Sequence, residues 1–170
     1  MDSNSIHILP AYFNFIECYL ANNMLPEVKK YLTVALSNLS FSNKKKEEKE
    51  SDVIEHQEEE ILATKDRKIK TSRIDLLFGQ YLLLIDQFKE AKEKIINSII
   101  LSSEIYGPES VMLTPNYYYL ASCFLTENSK TNDKSIDSEL IAKNIYLKIA
   151  DCWKKCFLGE KHELFDSKYF

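Results

Sequence analysis

At 170 residues the chain is long enough for one domain with a sizeable core, and its 45% hydrophobic and 28% charged residues are an ordinary globular balance. A net charge of -4 and a pI near 5.5 argue against nucleic acid as the main partner, because neutralising phosphates requires a basic surface. Only three Gly and four Pro occur, and each proline (Pro10, Pro26, Pro108, Pro115) lies near an expected helix boundary, which disfavours an all-β fold rich in turns.

The start, Met1-Asp2-Ser3-Asn4-Ser5, has neither a basic stretch nor an apolar stretch of the kind a secretory signal needs. A first helical hairpin is expected over 10–39. Pro10 suits a first helical turn, and Tyr12, Phe13, Phe15, Ile16, Tyr19 and Leu20 recur at helical spacing. Asn22-Asn23 interrupts the pattern, Pro26 opens the next helix, and Val28, Tyr31, Leu32 and Ala35 continue it.

Residues 40–70 change character. Lys44-Lys45-Lys46-Glu47-Glu48-Lys49-Glu50 and Glu58-Glu59-Glu60 are charge runs without a nearby aromatic, a composition that buries too little apolar surface to offset ordering entropy. They imply a flexible charged insertion, with a frayed helix around 53–63. The adjacent glutamates cancel the field of the three lysines, so a phosphate or microtubule contact there is disfavoured.

A second hairpin is expected over 71–106. Its first helix is apolar nearly all round (Leu76, Leu77, Phe78, Tyr81, Leu82, Leu83, Leu84), which implies packing on two sides. Asp86-Gln87 marks the turn, Phe88, Ala91, Ile95, Ile96, Ile99 and Ile100 build the second helix, and Gly107-Pro108 ends it with glycine in a left-handed helical conformation. The third hairpin, 115–158, begins with the aromatic run Tyr117, Tyr118, Tyr119, Leu120, Cys123, Phe124. Residues 126–137 are polar and imply an expanded turn. Ser138 is then a candidate cap for a helix carrying Ile141, Ile145, Ile149 and Trp153, closed by Gly159 before a 159–170 tail.

One spacing recurs in the three hairpins. It runs Ile16, Tyr19, Val28, Leu32, Ala35; then Gly79, Leu82, Ala91, Ile95, Ser98; then, with a longer turn, Ala121, Phe124, Ala142, Tyr146, Ile149. Small residues at these places let two antiparallel helices approach closely, the mark of tetratricopeptide-type repeats. Such units bury their faces only against neighbours, so the expected fold is an all-α, tetratricopeptide-like superhelix of about three hairpins. Three is the lower limit for an independently stable array, and no polar capping helix is evident, which implies that the ends stack on something else.

Motifs for catalysis and cofactors are missing. No GxGxxG, GxxxxGK[ST], HExxH or GxSxG occurs, and three glycines could hardly cradle a phosphate. Cys18, Cys123, Cys152 and Cys156 lie in apolar stretches and imply reduced thiols. Cys152 and Cys156 share a helix face, but His7, His56 and His162 are scattered and no four-ligand grouping forms. The expectation is therefore no enzyme, no cofactor and no metal. The densest apolar run, 81–85, is too short to span a bilayer, so no membrane partner and a soluble intracellular protein are expected. A helical solenoid works through the concave groove lined by its first helices, and here the candidate partner-binding residues are Phe13, Glu17, Arg73, Leu76, Gln80, Tyr118 and Ser122.

Three groups of residues carry a family resemblance. The first is His7-Ile8-Leu9-Pro10-Ala11-Tyr12 with Glu27-Val28-Lys29-Lys30-Tyr31-Leu32. The second is Leu77-Phe78-Gly79-Gln80-Tyr81, Phe88-Lys89-Glu90-Ala91 and Ser102-Ser103-Glu104-Ile105-Tyr106-Gly107-Pro108-Glu109-Ser110. The third is Tyr117-Tyr118-Tyr119-Leu120-Ala121-Ser122-Cys123-Phe124 with Tyr146-Leu147-Lys148-Ile149-Ala150-Asp151-Cys152-Trp153. In this order they resemble the tetratricopeptide region of the axonemal MYND zinc-finger proteins of motile cilia. The resemblance implies an inner-dynein-arm component of a large hetero-complex. Its partners would be a second axonemal tetratricopeptide protein and a dynein heavy-chain tail or light intermediate chain. The family's zinc module has no counterpart here, so no metal role carries over. The Gly-Pro after a long second helix also resembles kinesin light-chain repeats, which implies a peptide-binding cargo adaptor. A regulatory helical domain like that of MYND-type methyltransferases is the third reading, and no cofactor motif accompanies it.

Overall fold

A computed structural model describes residues 8–47, 57–131 and 136–158. Within them the chain is all-α, with no strand. Its helices are α1 (Leu9–Ala21), α2 (Leu25–Glu47), α3 (Gln57–Leu84), α4 (Phe88–Tyr106), α5 (Thr114–Thr131) and α6 (Ile136–Leu158), and a 3-10 turn, Val111–Leu113, leads into α5. None of these helices is long and apolar enough to cross a membrane.

Local chemistry sets the helix ends. Pro10, Pro26 and Pro115 each sit in a first turn, where the missing N–H has no helical partner to lose. The α1–α2 and α3–α4 turns are built alike. Asn23 (φ 55) and Asp86 (φ 63) take the left-handed conformation that short polar side chains tolerate best. Met24 N–H donates to Tyr19 O and Gln87 N–H to Leu82 O, both at 2.9 Å, closing each helix by the same six-residue bond. The repeat therefore extends to the turn, where composition showed only two polar pairs. Gly107 ends α4 at φ 82 and ψ 150. That is an extended, positive-φ conformation open essentially to glycine alone, and not the left-handed helical one expected.

Each pair forms an antiparallel hairpin, and each hairpin leans on the next. α3 packs against both α1 and α2, and α5 against both α3 and α4. One buried cluster gathers Leu9, Phe13, Ile16, Val28, Leu32, Ala35, Ile74 and Leu77 from α1, α2 and α3. A second joins Leu82, Ala91, Ile95 and Cys123 from α3, α4 and α5. Phe78 and Tyr81 touch both clusters, so α3 is apolar on two sides because it has two neighbours. On the first hairpin Tyr31 stacks on Tyr19 (5.4 Å) and Phe15 (5.6 Å), fastening α2 to α1.

Within the second hairpin a Cβ added at Gly79 would lie 2.5 Å from Ile95 Cγ1 and 3.3 Å from the Ala91 carbonyl oxygen. Only a residue without a side chain permits this helix separation. A polar lock lies one to two turns away. Ser98 Oγ donates to Ser72 O (2.6 Å) and accepts from Asn116 Nδ2 (2.6 Å), while Ser72 Oγ lies 2.6 Å from Ser102 Oγ. All four side chains are buried, so the bonds they make offset a desolvation cost of about 1–3 kcal/mol per group. Buried Asp75 accepts from Lys94 Nζ (3.0 Å) and from Asn97.

Helix lengths differ from the sequence reading. The 40–70 segment is not wholly an insertion: α2 continues to Glu47 and α3 begins at Gln57, 14 residues before the expected 71. Lys, Glu, Gln, Leu and Ala are strong helix formers, and the ion pairs Lys70–Asp66 and Lys68–Glu104 (2.8 Å) add support, so charge here decorates a helix extending past the core. The expected frayed helix over 53–63 lies partly outside the described residues. Likewise α5 runs to Thr131 and α6 starts at Ile136, so 126–131 and 136–137 of the expected turn are helical, 132–135 lie outside the described residues, and Ser138 sits inside the helix. Gly159 and the 159–170 tail also lie outside.

At the last hairpin Glu109, in the link after α4, takes hydrogen bonds from Lys155 and from Lys148 (3.4 Å), which lie two turns apart on one face of α6. These bonds, Lys155 first, hold its carboxyl below the ordinary 4.5. A depressed folded value means that the stabilisation is present above the ordinary pKa and is lost as pH falls through the folded one.

Two outcomes follow. Gly79→Ala should destabilise the chain by overpacking and Ile95→Ala by about 2–5 kcal/mol of cavity cost, yet the double variant should lose less than the sum by more than about 0.5 kcal/mol, read from denaturant unfolding. Strict additivity would show that Gly79 and Ile95 are not in close contact. Second, Glu109→Gln should lower the melting temperature at about pH 6, and the gap from the parent should narrow at about pH 3.

Candidate functional site

A groove of about 740 Å³ runs across the first helices of the three hairpins. α1 supplies Glu17 and Leu20, α3 supplies Arg73, Leu76, Gln80 and Leu84 along successive turns, and Asn116 and Tyr119 of α5 close the far wall. This volume lies within the range of ligand and peptide sites, and the lining is mainly apolar with a few placed polar groups.

Four of the seven candidates, Glu17, Arg73, Leu76 and Gln80, come together here. They do so because α1 and α3 each repeat at three and four residues and turn the same flank inward. Arg73 bridges the two helices, its Nη2 donating to Glu17 Oε1 at 2.8 Å. Both side chains are nearly half exposed, so the pair contributes at most about 1 kcal/mol and yields readily to a competing carboxylate. Phe13 is not a groove residue. It is buried, with the Arg73 guanidinium 5.1 Å above its ring, so it supports Arg73 from below.

Tyr118 and Ser122 do not join them. Tyr118 faces α6, its ring 6.4 Å from that of Tyr146, and Ser122 Oγ donates to the Tyr118 carbonyl at 2.9 Å. The tyrosine that enters the groove is Tyr119, one residue later. Burial raises the pKa of its phenol first, with the neighbouring Tyr118 and the charge of Glu17 across the groove adding to it. Three successive tyrosines left the register ambiguous, since each points 100° from the last. Asn116 was the available signal: a polar residue three before Tyr119, buried because it locks onto Ser98. Met112 comes from the α4–α5 link, for which helical periodicity says nothing, and Tyr106 is the last residue of α4.

The lining offers apolar contact, the side-chain amide of Gln80 and one exchangeable ion pair. Among the described residues no three His, Cys, Asp or Glu side chains converge to hold a metal ion. Cys123 is buried in the core, which pushes its thiol up to about 11, and burial likewise raises Cys152. Comparison with protein-family models, with curated proteins and with solved structures returns no match.

Proposed function

We propose that the chain is a non-catalytic, tetratricopeptide-like scaffold subunit of the ciliary axoneme, associated with an inner dynein arm and contributing to ciliary motility. The observation that supports a scaffold is the groove itself: three stacked hairpins align their first helices into one mainly apolar surface with a few polar groups along it. The cilium enters through the resemblance of the three residue groups quoted above to the tetratricopeptide region of zinc finger MYND domain-containing protein twelve. On this reading the groove faces a second axonemal tetratricopeptide protein, or a dynein heavy-chain tail or light intermediate chain, within a large hetero-complex.

The Arg73–Glu17 pair favours a second reading, a kinesin-light-chain-like adaptor for short peptides. A peptide carboxylate can displace Glu17 from Arg73 with little loss, so an acidic linear motif would find a ready cation at the groove's rim.

Affinity purification from isolated motile cilia distinguishes the two. The scaffold reading predicts co-purification with inner-arm dynein subunits, and loss of that association in Leu84→Asp, which charges an exposed groove position and leaves thermal unfolding unchanged. Micromolar binding of isolated acidic peptides without dynein subunits would favour the adaptor. Free protein in cells with no cilium would contradict the ciliary reading.

A further inference from the structure

The hydroxyl protons of the buried lock are spent inward, which leaves acceptor atoms at the groove. Ser98 Oγ lies 2.6 Å from the Ser72 carbonyl oxygen, and two oxygens come that close only with a proton between them. Ser98 has one proton, so it must accept from Asn116, whose Nδ2 is 2.6 Å away. That fixes the Asn116 amide with Nδ2 turned inward, while its Oδ1 makes no hydrogen bond among the described residues. In the same way Ser72 donates to the Ser98 carbonyl at 3.0 Å. Ser102 is then the donor across the 2.6 Å to Ser72, and its own lone pairs stay open.

Asn116 and Ser102 both line the groove. Asn116 is 4% exposed, and the sliver of it that solvent reaches is at this wall. Beside the two acceptors stand Tyr106, Met112 and Tyr119, apolar bodies that include two aromatic rings. The charged residues of the lining, Glu17 and Arg73, are paired with each other on the α1 side, where Arg73 is also held over Phe13. At the Tyr119 phenol the charge felt is that of Glu17, which adds to burial and to Tyr118 in raising it. This wall thus combines acceptors, rings and a negative field, and no Lys or Arg stands among its described residues.

We propose that the wall is a subsite for a lysine side chain of the protein that occupies the groove. The aliphatic stem lies along Met112 and the tyrosine rings, and the ammonium takes Asn116 Oδ1 and Ser102 Oγ as acceptors. Three donors on one compact head suit acceptors that arrive from two helices, which a planar guanidinium matches less well. A carboxylate would meet oxygen against oxygen here, so an acidic residue of the same partner belongs at Arg73, on the α1 side. This subsite rests on the reading of the groove as a protein-binding surface, and it serves either class of partner considered above.

The test titrates the full chain with fluorescent eight-residue peptides of leucine and serine that differ at one central position: lysine, norleucine or glutamate. Anisotropy should show the lysine peptide binding about tenfold more tightly than norleucine, which keeps the stem and lacks the ammonium. In NMR spectra of the parent chain the Asn116 side-chain amide signals should move with the lysine peptide and stay in place with norleucine. Asn116→Leu and, separately, Ser102→Ala should each narrow the lysine preference while circular dichroism keeps the parent's helix content. If either variant unfolds, the parent spectra decide. Norleucine binding as tightly as lysine, or a lysine preference with the Asn116 signals unmoved, would overturn the subsite and leave the groove reading intact. Tighter binding of the glutamate peptide would contradict it too and favour Arg73 as the charged contact. Binding of none of the three would remove the subsite together with a groove open to short peptides.

Discussion

The contact on which the rest of the structure depends is the close approach of α3 and α4 at Gly79 and Ile95. With 2.5 Å between Ile95 Cγ1 and the place a Cβ would take, the separation of these helices is set by the absence of one side chain. That separation brings Ser72, Ser98 and Ser102 within hydrogen-bonding distance, and Asn116 extends the lock to α5. Apolar packing and a buried polar network thus act at the same interface. The first supplies most of the favourable free energy, and the second penalises any slip in helix register, because a slip would leave buried hydroxyls unpaired.

From this central hairpin the outer two take their positions. α3 carries apolar residues on both flanks, so the first hairpin packs on one side through Ile74 and Leu77 while Cys123 of α5 joins the other beside Leu82 and Ile95. Charged side chains then tie the periphery. Arg73 reaches Glu17 on α1, Lys92 reaches Glu127 on α5, and Glu109 collects Lys148 and Lys155 from α6. Each is modest in energy at the surface, and the flank that each first helix turns to the groove is set by the packing of its opposite, apolar side. A continuous groove is a consequence of stacking similar supersecondary units, and Met112 alone of its lining comes from a link between helices.

Much of this was legible in the sequence because the physics is local or periodic. The spacing Gly79, Leu82, Ala91, Ile95, Ser98 names five residues that are all buried at the α3–α4 interface. Glu17, Arg73, Leu76 and Gln80 were found on the groove by the same periodicity. What escaped has physical causes. Charge-rich and polar stretches read as an insertion at 40–70 and a turn at 126–137, although Lys and Glu favour helix as well as solvent, so α2, α3 and α5 run longer than apolar content suggests. The sequence points to Tyr118 and the structure to Tyr119, because the aromatic run fits either rotation of α5 and Asn116, anchored to Ser98, fixes it. In the repeat's third copy Tyr146 stays partly exposed, because no described helix covers α6.

The keystone role of the α3–α4 contact is tested most directly by native-state hydrogen exchange. Amides of 77–83 and 91–99 should be the most protected in the chain, exchanging only with global unfolding, while the last turns of α6 exchange through local opening. Protection in α3 and α4 no greater than in α1 or α6 would contradict the account and place the stabilising core in an outer hairpin.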